Sequence, residues 1–373
     1  MHLRKPLPVT GIIIIVSFFL MSWGYQGHYK ISSKAVLSFN PEMEQFMAWA
    51  VPIAEHASDA DYRKDTDPSE GPRHYIDLEN YPGFTSTGRI PQTYDSVVAM
   101  YGEAFVIGQG TLPWATLRTY DSLVASFRHF DWEKAVLLAA DLGHYVGDGH
   151  QPLHLTRNYD GEDTGNDGIH SRYETSMINS FGNQIDYPGD AISVIPDVDA
   201  YIFNYIYANN VYVDSIMIAD TYAEQLAGNH SSYSYKSALW EKTGTFTTQL
   251  FRNASRRLAE LIYTAWVEAG KPDMNSGPGI WEKYTKRDEL RLNVRPNPFR
   301  DNVSISFELT GSEEVCILLL DNKGTLVEKL LDEIKPAGKV DLSFHLPHLP
   351  DGIYYLILSS GKSYRCIKLI KHG

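Results

Sequence analysis

Cysteine is nearly absent: Cys316 and Cys366 are the only two in 373 residues. That excludes a disulfide-stapled scaffold and a thiolate metal site anywhere before Cys316. The pair itself reads either as one disulfide or as two buried thiols, and the sequence leaves both open. Positive charge is also in short supply. Lys and Arg total 33 against 46 Asp and Glu, a formal net charge of -13, which disfavours a long basic groove for polyanions. Bound metal ions would add local positive charge outside that count, so a phosphate-bearing substrate is not excluded. The chain has no nucleophile elbow, no phosphate-cradling glycine loop, no internal repeat and no low-complexity tract. It also lacks an apolar run of comfortable membrane-spanning length. Residues 11–21, after Arg4 and Lys5, are short and have no later stop-transfer partner. Residues 1–22 are therefore read as a signal peptide with Ser22 at the cut, and no integral membrane segment is expected after cleavage. Leu20, bulkier than the small residue usual at the third position before a cut, keeps an uncleaved anchor as the alternative.

The remaining length exceeds what one core normally serves, and the patterning divides accordingly. Residues 23–270 read as helical, with long segments free of Gly and Pro. The clearest apolar stripe is Phe246, Leu250, Ala254, Leu258, Leu261, Ile262 and Ala265. Residues 271–291 open with Pro272, Asn275, Ser276, Gly277, Pro278 and Gly279, the composition of a linker. From residue 292 to 373 the period falls to two. Short strands are expected at 303–307, 315–320, 340–344, 353–358 and 366–370, separated by turns such as 321–324 and 350–352. The fold expected is thus a mainly α helical bundle followed by a small antiparallel all-β sandwich.

The helical part carries a series of potential metal ligands. His144 and Asp148 lie four apart in helical sequence, so they leave one face a turn apart, a spacing that suits two ligands of one ion. Pro152 ends that helix and His154 follows. His170 and Glu174 then repeat the i, i+4 pairing of imidazole and carboxylate. One such pair is weak evidence, because pairs of this kind arise on solvated helix faces; two pairs with an intervening His are much stronger. Upstream, Asp61 and His74 flank a loop containing Pro and Gly. The proposed mature chain starts Trp23-Gly-Tyr-Gln-Gly-His28. Cleavage before Trp23 would free an α-amino nitrogen that can chelate a metal together with the Trp23 carbonyl oxygen, with His28 close by.

Taken together, Trp23, His28, Asp61, His74, His144, Asp148, His154, His170 and Glu174 resemble, in type and order, the full ligand inventory of the zinc-dependent phospholipase C and P1 nuclease superfamily. The string from Asp148 to His154 is the most specific part. The resemblance implies three zinc ions. Asp61, His74, His144 and Asp148 would hold one, and Asp148 would bridge to a second held by Trp23 and His28. His154, His170 and Glu174 would hold the third. His150 is not part of the pattern and is read as a surface or outer-layer residue. The implied chemistry is hydrolysis of a phosphodiester by metal-activated water, with Asp61 as the residue that orients or deprotonates it.

Two branches of the superfamily divide the remaining features. The start of the mature chain and the string His74-Tyr75-Ile-Asp77 are similar to the nucleases, in which the aromatic at the Tyr75 position helps stack a base. Glu174, the Asp61-Tyr pair and the short gap between His154 and His170 are similar to the phospholipases. Phospholipase C-like hydrolysis at a lipid headgroup is the leading expectation, a single-strand nuclease the alternative, and a non-catalytic zinc-binding surface protein the third. The C-terminal part, with Val294-Arg-Pro-Asn-Pro-Phe299, Asp351-Gly-Ile-Tyr-Tyr355 and the closing 367–371 segment, resembles the type A sorting domain of the type IX secretion system. That implies a partnership with this machinery and passage through the periplasm to the cell surface or the medium. An immunoglobulin-like accessory module is the alternative for this part.

Overall fold

The structure, a computed structural model, describes residues 24–274, 292–321, 326–360 and 363–372. The expected signal peptide, Trp23 and most of the expected linker lie outside the described residues. The N-terminal part is a helical bundle built around Tyr233–Glu268, a helix of 36 residues. At 1.5 Å per residue it runs about 54 Å. Ser232 caps its start by accepting a hydrogen bond from the Tyr235 amide. Leu250, Ala254, Leu258, Leu261, Ile262 and Ala265 are buried along it, as their spacing predicts. This helix packs against Gly24–Ala35, Leu112–Arg128, Trp132–Asp148 and Val213–Ala227. Toward its C-terminal end the core is aromatic: the Phe46 ring lies 4.9 Å from that of Trp49 and 5.6 Å from that of Trp266, both in edge-on arrangements.

Small residues set the approach of the first helix to Trp132–Asp148. A Cβ at Gly143 would come within 2.6 Å of Ser32 Oγ, and one at Gly147 within 2.9 Å of His28 Nδ1. With hydrogen in both places the helices close up, and the His28 ring stacks on His144 at 4.0 Å.

The C-terminal part comprises seven described strands in two antiparallel sheets: β1 Asn293–Arg295, β2 Asn302–Leu309, β3 Glu313–Asp321, β4 Leu326–Lys335, β5 Gly338–His345, β6 Gly352–Ser360 and β7 Ser363–Lys371. Their orders are β1-β2-β5 and β4-β3-β6-β7. Val303, Ile305 and Phe307 from one sheet meet Val315, Ile317, Leu319, Leu356 and Leu358 from the other, which makes an apolar sandwich core. Strands β1 and β4 add to the five expected. The ladder pairs Cys316 with Ser359 and Cys366 with Ile357, so β6 runs between the two cysteines. Two strand spacings of about 4.8 Å each exceed the Cα separation that a disulfide spans, which goes against the disulfide reading. On the outer face of the larger sheet, Leu320 and Ile357 pack on Val51 of the bundle.

Candidate metal centre

The helix Trp132–Asp148 starts at Asp131, whose side chain accepts from the Lys134 amide, and its final turn carries His144 and Asp148, both fully buried. His144 Nδ1 donates to the Ala57 carbonyl at 2.7 Å, which leaves Nε2 to face the interior of the site, 3.3 Å from Asp148 Oδ2. His74 ends a short turn, Gly71–His74, and brings Nδ1 to 2.9 Å from His144 Nε2 and 3.1 Å from Asp148 Oδ2. Asp61 Oδ1 lies 3.7 Å from both His74 Nδ1 and His144 Nε2. His28 Nε2 approaches the other Asp148 oxygen at 3.5 Å.

A second grouping forms where the chain doubles back. Gln151 begins a turn at Pro152–Leu155, and His154 Nδ1 donates from it to the His74 carbonyl at 2.6 Å. His170 follows on Ile169–Ser171, and Glu174 sits in the π-helical stretch Arg172–Met177, a wide turn of the kind that recurs at functional sites. Glu174 Oε2 is 3.0 Å from His170 Nε2, 3.5 Å from His154 Nε2, and accepts from Gln151 Nε2 at 3.2 Å.

Among the described residues, the potential ligand atoms thus fall into three buried groups: His28, His144 and Asp148; Asp61, His74 and His144; and His154, His170 and Glu174. Within each group the ligand atoms lie within 4.8 Å of one another. His144 stands in the first two. Eight of the nine residues singled out in the sequence are therefore brought together, and the ninth, Trp23, lies outside the described residues while its neighbour Gly24 begins the helix that carries His28.

The electrostatics set buried imidazoles and carboxylates against one another. Burial disfavours charge on His28, and with the neighbouring His144 it pulls that imidazole down to about 3. Burial acts the same way on His144, but Asp148 and Asp61 outweigh it and hold the group up to about 9. Glu174 is pushed up by burial and brought down to about 2 by His170 and His154. Asp61 Oδ2 and His170 Nδ1 are buried without a hydrogen bond. Orphaned buried atoms of this kind are costly unless something binds them. Imidazole and carboxylate donors in groups of three or more suit zinc, so the residues present fit the expected metal.

A cavity of about 710 Å³ opens on the site. His74 and His170 reach it from the metal side, Tyr75 and Tyr159 give it aromatic walls, and Lys64 and Arg157 bring positive charge. Lys64 Nζ is 2.6 Å from Asp61 Oδ1. Asp77 also lines the cavity; burial, reinforced by the Glu79 charge, raises its carboxyl to about 6. Lys64, Asp77, Arg157 and Tyr159 were not singled out as site residues from the sequence. Asp77 is signalled only by its place three residues after His74, and the others by nothing short of the fold. His150 needs correcting: it is buried rather than on the surface, with its Nδ1 on the Val146 carbonyl and its ring stacked on Tyr205 at 4.6 Å.

Residues 293–372 match the secretion system C-terminal sorting domain family, so this part of the chain is a sorting domain for export. A probable serine protease of Bradyrhizobium tropiciagri is 26% identical over 196 residues, covering 44% of this chain and 25% of that protein. The chain thus spans about a quarter of the length of this curated relative. Among solved structures, the alpha toxin of Clostridium absonum overlaps 94% of this chain and 95% of its own, with a TM-score of 0.40 and 10% identity. The alpha-toxin of an avian strain of Clostridium perfringens overlaps 94% and 96%, with a TM-score of 0.42 and 8% identity. Overlap at these TM-scores assigns neither activity nor substrate. Among the described residues, no helix is long and apolar enough to cross a membrane.

Proposed function

We propose that the chain is an exported phosphodiester hydrolase that uses three zinc ions and acts in the manner of a phospholipase C. The observation that carries this reading is the convergence of three buried imidazole and carboxylate groups beside one cavity that also holds two cations. Asp61, His74, His144 and Asp148 would hold the first ion, Asp148 with His28 and Trp23 the second, and His154, His170 and Glu174 the third. When bound, zinc supplies Lewis acidity at the phosphoryl oxygens and lowers the pKa of water toward neutrality.

The chain's own groups divide the remaining work. Asp61, with one oxygen against Lys64 and the other without a hydrogen bond, orients the attacking water and takes its proton. Lys64 and Arg157 draw the phosphate into the cavity and offset the charge that builds on its oxygens. Tyr75 contacts the group attached to the phosphate from one wall, with Tyr159 on another. The sorting domain delivers the protein through the type IX machinery, across the periplasm, to the cell surface or the medium.

A single-strand nuclease is the second reading, and Asp77 is what favours it. A carboxyl raised to about 6 in a cavity also lined by Tyr75 and Tyr159 presents both donor and acceptor forms near neutral pH, which suits the edge of a stacked base. The deciding experiment incubates zinc-loaded mature protein with phosphatidylcholine vesicles and with single-stranded DNA, each with a chelated control. Chelator-sensitive release of phosphocholine with DNA left intact supports the phospholipase reading. Cleavage of DNA alone replaces it with the nuclease, and silence on both substrates points to a non-catalytic zinc protein.

A further inference from the structure

His74 presents one ring nitrogen to the metal groups and the other to a carboxylate. Nδ1 faces Asp148 Oδ2 at 3.1 Å and Asp61 Oδ1 at 3.7 Å, whereas Nε2 lies 3.4 Å from Glu70 Oε1. Glu70 is fully buried. Its Oε1 also accepts from the Tyr145 hydroxyl, and its Oε2 accepts from Arg63 Nε at 3.2 Å and Arg73 Nη1 at 3.0 Å. Arg63 is braced in turn by Asp141 at 3.0 Å. Burying a carboxylate costs several kcal/mol unless its oxygens are matched. Here both are, Oε1 by the Tyr145 hydroxyl and Oε2 by the two arginines, while the buried Nε2 of the candidate ligand His74 lies 3.4 Å from Oε1 with no hydrogen-bond partner of its own.

We propose that Glu70 is the positioning residue of His74: its Oε1 accepts the Nε2 proton, so that Nδ1 is left as the metal-facing atom, and Tyr145, Arg63 and Arg73 fix the carboxylate in place. This rests on the metal reading above. A ring nitrogen that donates to a carboxylate fixes the tautomer and raises the basicity of the ligating nitrogen, and losing such a partner typically weakens metal binding 10- to 100-fold.

The test is zinc titration of the mature full chain against a competing chelator, in wild type, Glu70→Gln, Glu70→Ala and Tyr145→Phe, with the visible spectrum of the cobalt-substituted protein as a second readout. Glu70→Gln is expected to weaken one of the three sites about 10- to 100-fold and to shift the cobalt bands, leaving the other two sites unchanged. Glu70→Ala should do more at the same site, because glutamine still accepts the Nε2 proton; Tyr145→Phe should do less. A role confined to holding the loop through Arg63 and Arg73 would lower the melting temperature without moving zinc affinity or the cobalt spectrum. A folded Glu70→Gln protein with wild-type affinity at all three sites overturns the proposal. If that variant does not fold, unchanged affinity and spectrum in Tyr145→Phe do the same. Wild-type protein that takes up no zinc is recognised before any variant is compared and overturns the metal reading, and this inference with it.

Discussion

The two parts of the chain bury different things. In the helical bundle His28, Asp61, Glu70, His74, His144, Asp148, His154, His170 and Glu174 are all buried, clustered at one place. In the sandwich the described core is apolar, with Ser360 and Lys371 the only buried polar side chains among the described residues. Both parts meet the requirement for a core, so stability alone does not call for the charges in the bundle. Desolvated carboxylates and imidazoles cost free energy unless they are paired or bind a metal. Their concentration in one part, beside a cavity, marks the candidate metal centre and separates it from the part that matches an export sorting domain.

The sharpest way to break this comparison is to remove the metal. Chelation is expected to abolish hydrolysis and to lower the melting temperature of the bundle; a ligand present at about 1,000 times its Kd adds roughly 4 kcal/mol to stability. The sandwich should melt as before, and calorimetry of chelated and zinc-loaded protein checks both. Next in size is Leu356→Ala, which empties part of the sandwich core and should cost that unit about 2–5 kcal/mol while leaving zinc content and turnover unchanged. Gly147→Ala puts a methyl group within 2.9 Å of His28. It should cost about 1–3 kcal/mol by overpacking and loosen zinc at the His28 group alone, which metal titration resolves.

The smallest effect concerns Asp77, whose carboxyl in the folded chain titrates near 6 rather than at the usual 3.8. Because its folded value is raised, the stability associated with the neutral form is complete below about pH 4 and is lost as the pH rises through 6. Asp77→Asn, which cannot ionise, should therefore melt several degrees above wild type at pH 7 and level with it at pH 4. A melting series across that range measures the difference.

Much of this division was legible in the sequence because it depends on local spacing. The 246–265 stripe reports one buried helix face, and the four-residue gaps from His144 to Asp148 and from His170 to Glu174 report shared faces. The second pair came through although Glu174 lies in a π-helical stretch, where the wider turn still leaves it beside His170. What escaped depends on tertiary approach. Strand β4 is rich in Leu, Glu and Lys, good helix formers, yet pairing with β3 makes it an edge strand; its charged residues suit an edge that must not pair further. Strand β1 is three residues beside two prolines, too short to show a period. Glu70 and Lys64 look like ordinary surface charges until the fold sets them against His74 and Asp61, and Gly147 reads as a helix weakness until His28 is seen against it.

The central claim is that the buried polar groups hold three ions, and metal counting tests it most directly. Elemental analysis of the secreted mature protein after gel filtration should give three zinc ions per chain. The Asp148→Ala variant, which removes the ligand proposed to serve two of the ions, should keep one, at His154, His170 and Glu174. A wild-type protein with no zinc, or a variant that retains the full wild-type complement, would contradict the account.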